Sequence, residues 1–302
     1  MLRQFSVMPL PCQPGIIAAV GESTNGNGPG FIADVQDVRR RIPTMLGIGV
    51  VGGVVGALLG GGTGTVTVPA LDKLTEFPRA TIYGTSSIAN VAVAIVGTVG
   101  YALRGGAVDF AVGIPLMVGG ALGAVLGARL VLKVPERVLR MVFIMVLLVA
   151  GGKLIIDAAG IDPIGEGAVL PAAVREGTAV MITVAALLGV LIGAWSAALG
   201  LGGGLLTVPA LVLLFGAGLH VAEGTSLVVM LPNSIIGAVT HIRQRTASVP
   251  VGSRLASGAA VGAVLGVLLA LAIPGRVLEL IFGAFVLFMA VREIRRMRAK
   301  TG

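Results

Sequence analysis

Residues 53–71 read GVVGALLGGGTGTVTVPAL, and residues 193–211 read GAWSAALGLGGGLLTVPAL. The stretches lie 140 residues apart and share TVPAL without a change. The register continues downstream. Gly84-Thr85-Ser86 matches Gly224-Thr225-Ser226 at the same offset. Gly123-Ala124-Val125-Leu126-Gly127 matches Gly262-Ala263-Val264-Leu265-Gly266 at an offset of 139. Pro135, Arg137-Val138-Leu139 and Phe143 match Pro274, Arg276-Val277-Leu278 and Phe282. Separate matches held in one register mark a duplicated unit.

Composition says what the unit is built for. Of 302 residues, 56% are hydrophobic and 12% charged, and the mean hydropathy is +1.00. A soluble domain carries about 25% charged residues. A soluble enzyme, a secreted disulfide scaffold and a disordered chain are excluded together. The 47 glycines have no collagen period; glycine is more frequent in membrane helices than in soluble ones. The lone Cys12 excludes an internal disulfide and a multi-cysteine metal site.

Eight apolar segments follow one another, at about 44–71, 80–103, 108–132, 138–157, 178–215, 219–241, 252–273 and 276–291. The expected fold is an all-α polytopic membrane protein. Its segments form two homologous four-segment repeats, with segments one and five broken at Gly-rich motifs. The domains are then a polar leader (1–41), repeat 1 (42–157), a polar linker (158–177), repeat 2 (178–293) and a basic tail (294–302). The apolar run Gly15–Val20 in the leader is too short to span, since a span needs about 20 residues.

The net charge of +8 and pI near 10.7 become informative through the positive-inside rule. If all eight segments cross, Arg129, Lys133, Arg137 and Arg140 fall outside. If segments one and five enter and leave on the same side, each half crosses three times and the halves are inverted. That arrangement puts 18 of the 22 Lys and Arg on the cytoplasmic side and is the favoured one. Both arrangements leave both termini cytoplasmic. The basic excess reads as topology, and no nucleic-acid partner is expected. The lipid bilayer and a small anionic solute are the expected partners, with a second copy of the chain as a candidate homodimer partner.

The first candidate site is the pair of breaks, Gly60, Gly61, Gly62, Thr63 and Gly64 with Gly200, Gly202, Gly203 and Gly204. Each glycine disfavours helix by about 1 kcal/mol relative to alanine, so each break ends a half-helix. Amides freed there must line a cavity or be buried in protein, and helix N-termini attract anions. The competing reading is glycine packing without a ligand. Pro69 and Pro209 recur at matching positions and kink or start a helix. Thr67 and Thr207 either satisfy freed carbonyls or touch solute. Thr85, Ser86, Thr225 and Ser226 either donate to an anion or bond to backbone and neighbouring helices. Asn90 and Asn233 are weaker candidates. Glu223 and His241 are ionisable groups in apolar segments. They either couple transport to protons or are solvated at segment ends. GxxxG spacings such as Gly119/Gly123/Gly127 and Gly258/Gly262/Gly266 signal close helix packing.

The paired glycine breaks followed by TVPAL, and then by a Gly-Thr-Ser segment in each half, resemble the sulfite exporter TauE/SafE family of membrane transporters. The resemblance covers about residues 45–293. It implies an inner-membrane permease for sulfur-containing anions such as sulfite, sulfoacetate or other organosulfonates. Its motif positions here are Gly60 to Gly64, Pro69, Thr85, Ser86, Gly200 to Gly204, Pro209, Thr225 and Ser226. The first half departs with Thr63 where the second has Gly203, and with Ala89-Asn90 where the second has Pro232-Asn233. The leader reads as an addition. A passive anion channel of the same fold is the alternative. An enzyme would need a Ser/His, paired-Asp or HExxH constellation, and the chain has two histidines and no such motif. No ATP motif, metal site or cofactor is expected.

Overall fold

The computed structural model describes residues 42–103, 107–130, 136–160, 170, 178–199 and 204–299. The leader, most of the linker and Gly200 to Gly203 lie outside the described residues. Every described element is helical. The first half holds α1 (Ile42–Leu58), α2 (Gly64–Leu74), α3 (Arg79–Leu103), α4 (Phe110–Leu130) and α5 (Glu136–Ala158). The second holds α6 (Thr178–Leu199), α7 (Gly204–Ala210), α8 (Leu219–Arg243), α9 (Val249–Ala272) and α10 (Gly275–Ala299). A π-helical turn, Leu211–Phe215, extends α7 and ends at Gly216 in the left-handed region.

Four of these helices are long and apolar enough to cross a membrane by length and composition: α3, α8, α9 and the Arg140–Ala158 part of α5. Shorter apolar helices accompany them. Large apolar side chains such as Leu103, Leu191 and Phe288 stand exposed on the outer faces. Water would make that arrangement costly, and hydrocarbon removes the cost. The protein is a multi-pass membrane protein.

Segment one is two helices, and they fold back on each other. A Cβ on Gly52 would lie 3.1 Å from Thr67 Cγ2, and one on Gly56 would lie 2.7 Å from the Gly62 carbonyl carbon. In one straight helix, 15 residues would separate Gly52 from Thr67 by about 22 Å, at 1.5 Å per residue. The reversal is made at Gly60 and Gly62, whose φ values of 57° and 75° suit glycine and strain other residues. Pro69 and Pro209 sit inside α2 and α7 respectively. At the other end of the chain, α10 continues to Ala299 and takes in most of the basic tail. Arg, Met and Ala favour helix, and Arg296 and Arg298 in the last turn suit the negative end of the helix dipole.

The core pairs are α3 with α8, α3 with α9, α4 with α6, and α5 with α10. Glycine faces set two of the crossings. A Cβ on Gly49 or Gly53 of α1 would strike the Leu255 or Ala259 carbonyl of α9. A Cβ on Gly189 or Gly193 of α6 would strike the Leu116 or Gly120 carbonyl of α4. From the other side, Gly258 and Gly262 meet the carbonyls of Leu46 and Val50, as Gly119 and Gly123 meet those of Ala186 and Val190. Both partners shift by 139 or 140 residues from one crossing to the other.

Overpacking such contacts costs about 1–3 kcal/mol. Gly53→Ala and Gly193→Ala should each lower the melting temperature of the detergent-purified protein by several degrees. Gly47→Ala, where a Cβ meets nothing within 4 Å, should leave it unchanged or raise it. Scanning fluorimetry of the three variants is the check, and equal melting temperatures would refute the role of the crossings.

Candidate functional site: the glycine break and the cavity above it

The break is held by its own backbone and by one amide side chain. Gly61 and Gly62 donate their N–H groups to the Gly56 carbonyl at 3.1 and 3.3 Å. Asn90 Oδ1 of α3 accepts both the Thr63 N–H and the Thr63 hydroxyl, each at 2.7 Å. Asn90 therefore caps the start of α2 from a neighbouring helix, where no local side-chain cap exists. The Thr67 hydroxyl donates to the Thr63 carbonyl at 3.0 Å and lies 2.5 Å from Ser86 Oγ. The α2 N–H groups of Gly64 and Thr65 fall in the first turn, which has no intrahelical acceptors.

The second break reaches the first. A Cβ on Gly204 would strike the Gly60 carbonyl, and the buried Ser226 hydroxyl donates to that carbonyl at 2.8 Å, with the Gly204 carbonyl at 3.4 Å. Of the sequence-derived candidates, Gly60, Gly61, Gly62, Thr63, Gly64, Ser86, Gly204 and Ser226 thus gather in one neighbourhood. Gly200, Gly202 and Gly203 lie outside the described residues.

Thr85 and Thr225 are placed differently. Thr85 Oγ1 accepts the Ser248 N–H at 3.0 Å, and Thr225 Oγ1 accepts the Asp109 N–H at 2.9 Å. Ser248 and Asp109 precede α9 and α4, so each threonine seats the start of the opposite half's third segment. Beside them, a Cβ on Gly84 would meet the Thr246 carbonyl and His241, and one on Gly224 would meet the Ala107 carbonyl and Tyr101.

A cavity of about 380 Å³ opens beside the break. Gly64, Thr65, Ser86 and Asn90 line it, and across from them Met230, Asn233 and Ser234 of α8. Tyr83, His241, Arg292 and Arg296 are its charged and titratable lining among the described residues, which contribute no carboxylate. His241 Nδ1 lies 2.9 Å from Thr246 Oγ1. Asn233 Oδ1 is a buried acceptor without a partner.

Glu223 does not reach this cavity, nor is it solvated at a segment end. It is fully buried. The Tyr101 hydroxyl donates toward Glu223 Oε2 at 3.0 Å and lies 3.1 Å from the Ala57 carbonyl. Glu223 Oε1 has no partner. The Gly60 Cα position faces the Glu223 backbone, so this cluster closes over the break.

Sequence reasoning passed over Tyr101, Tyr83 and Ser234, and read Arg292 and Arg296 only as topology. A signal for Tyr101 existed: at the 140-residue offset it corresponds to His241, and Tyr83 corresponds to Glu223. The same register pairs Asn90 with Met230 instead of Asn233, and Gly62 sits against both, with a Cβ 3.0 Å from Asn90 Oδ1 and 2.9 Å from Met230 Sδ.

An amide N–H buried without its acceptor costs about 1–3 kcal/mol. Asn90→Leu should therefore lower the melting temperature and speed amide exchange selectively at residues 61–66. Hydrogen-exchange mass spectrometry reads this directly; unchanged exchange at the break would mean that Asn90 does not hold it.

The family model for "Sulfite exporter TauE/SafE" matches residues 15–154 and 185–302. The match begins inside the leader, so the leader from Gly15 onward falls within the family model and is not an addition to it. No curated protein and no solved structure matches the chain. The match spans most of the chain, and the chain belongs to the sulfite exporter TauE/SafE family, whose members are membrane transporters.

Proposed function

We propose that the protein is a secondary permease of the bacterial inner membrane for a small sulfur-containing anion, such as sulfite, sulfoacetate or another organosulfonate. The cavity carries this reading. It joins two arginines to hydroxyls, amides and a helix N-terminus, and no carboxylate lines it among the described residues. Such a lining attracts an anion electrostatically and holds it through neutral donors, so that release stays feasible. The substrate would rest at Gly60 to Gly64, Ser86, Gly204 and Ser226. Thr85 and Thr225 would act through the helix starts they seat.

The two halves are inverted in this reading, with both termini cytoplasmic. The α1–α2 reversal supports it, because a hairpin enters and leaves on one side. The charge supports it too: Arg292 and Arg296 line the cavity, so the cavity opens toward the cytoplasm. The opposite face is then the one sealed by Tyr101, Glu223 and Ala57. Transport is alternating access, in which the sealed cluster opens as the Tyr83–His241 face closes. The two coupling candidates fall on opposite faces, Glu223 in the sealed cluster and His241 on the open cavity.

Purified protein in proteoliposomes should take up labelled sulfite saturably, and sulfite on the far side should accelerate the uptake. A linear flux without that acceleration would mark a channel. Gly62→Leu should reduce uptake at least tenfold while the protein remains inserted, since its Cβ would collide with Met230 and Asn90; transport at the parent rate would sink the proposed site. Glu223→Gln should abolish stimulation by a proton gradient and spare sulfite exchange. Retained stimulation would move the coupling role to His241.

A further inference from the structure

Two guanidinium groups meet one carboxylate on α10, and a third arginine on the same helix lines the cavity. Arg140 of α5 bonds to Oε1 of the buried Glu293. Arg296 lies 4.0 Å from the other oxygen, Oε2. Both oxygens of that carboxylate are engaged. Arg292 stands one turn before Arg296, half-buried and lining the cavity. Its described bond is from Nη1 to Met289 Sδ at 3.7 Å, and a thioether is a weak acceptor. A guanidinium offers five N–H donors in a planar fork. A cation drawn out of water without a counter-charge is costly, and the described residues that line the cavity supply none.

The other half shows what this position does when it is only structural. At the 139-residue offset, Arg292 corresponds to Lys153 and Arg296 to Asp157. Lys153 bonds to Asp157 one turn further along its helix. On α10 an arginine replaces that aspartate, so the pairing carboxylate is gone. The charge at Arg292 is left to face the cavity.

We infer that Arg292 receives the anion at the cavity mouth and selects it by shape. Its fork matches two oxygens of a sulfite, sulfonate or carboxylate group in a bidentate pair. A spherical chloride of equal charge offers no such match. This inference rests on the reading of the cavity as an anion path and adds the residue that discriminates among anions. Arg292 is a specificity residue in the site, distinct from the break that holds the anion deeper in.

The test uses the full-length protein in proteoliposomes with sulfite, methanesulfonate, acetate and chloride as probes. Arg292→Gln should raise KM for the oxyanions at least tenfold with little change in maximal rate. Arg292→Lys should restore part of that loss but not the preference for oxyanions over chloride. Arg295→Gln, exposed on the same helix, should behave as the parent. Melting temperatures identify any variant that merely unfolds, and Arg292→Lys then carries the comparison. If Arg292→Gln keeps KM within twofold for the anion the parent carries best, the inference is overturned. If the parent carries acetate and neither sulfur anion, the sulfur assignment fails while Arg292 is still judged on acetate. If it carries none of the four, both fall.

Discussion

A peptide group inside hydrocarbon must find its hydrogen bond within the protein. A helix meets this demand by itself; a helix interrupted in mid-membrane does not, and the structure is arranged around two such interruptions. Gly60 and Gly62 turn the chain back on itself, which leaves donors at the start of α2 and carbonyls at the end of α1 to be answered. Asn90 answers the first and Ser226 answers the Gly60 carbonyl. These two residues come from α3 and α8, the central pair, so the break fixes which helices stand at the centre. The glycine faces of α1 and α6 then let α9 and α4 close against those helices without intervening side chains. What remains unanswered in the first turn of α2 faces the cavity, and this is the polarity available to a solute.

The duplicated scaffold makes the differences between the halves informative. Gly84 and Gly224, Thr85 and Thr225, and the carbonyls of Thr246 and Ala107 make matching contacts. Against that common frame the side chains diverge. Tyr101 and Glu223 form a bonded, buried cluster on one face. His241 and Tyr83 occupy the corresponding places on the other and line open space. Lys153 and Asp157 quench each other on one helix, whereas Arg292 and Arg296 on its counterpart do not. A symmetric pair of gates would give two equivalent states. In the proposed alternating-access cycle, unlike residues at equivalent positions would let the two faces open and close under different conditions, as directional transport requires.

Much of this was legible in the sequence because it is local or periodic. The breaks are runs of glycine, the crossings are GxxxG spacings, and the repeat offset is arithmetic. The reversal at Gly60 to Gly62 was less legible, since consecutive glycines say that a helix stops and not where the chain then goes. Thr85 and Thr225 show the limit most clearly. Their recurrence beside a glycine fitted a ligand site and a packing role equally well, and the deciding partners, Ser248 and Asp109, lie over 100 residues away. Tyr101 was missed for the same reason, with its partner Glu223 in the other half. The extension of α10 was hidden by its charges: Glu293 reads as a surface residue until Arg140 from another helix is seen to hold it.

The placement of charge also explains how an anion site can bind without trapping. A fixed cation deep in a low-dielectric site would hold an anion strongly, because a charge pair there interacts far more strongly than in water. The described break carries no cation; its donors are amides and hydroxyls, whose net contribution is about 1 kcal/mol each when exchanged for water. The positive charge sits instead at Arg292, half-buried on the cavity lining and without a carboxylate partner among the described residues. On the proposed reading, an anion drawn in by Arg292 would meet weakening electrostatic attraction and increasing hydrogen bonding as it approached Gly64 and Ser86. A transporter must release what it binds, and on the proposed reading this ordering puts the charged, shape-selecting contact where release is easiest and the weaker neutral donors where the anion is held deeper in.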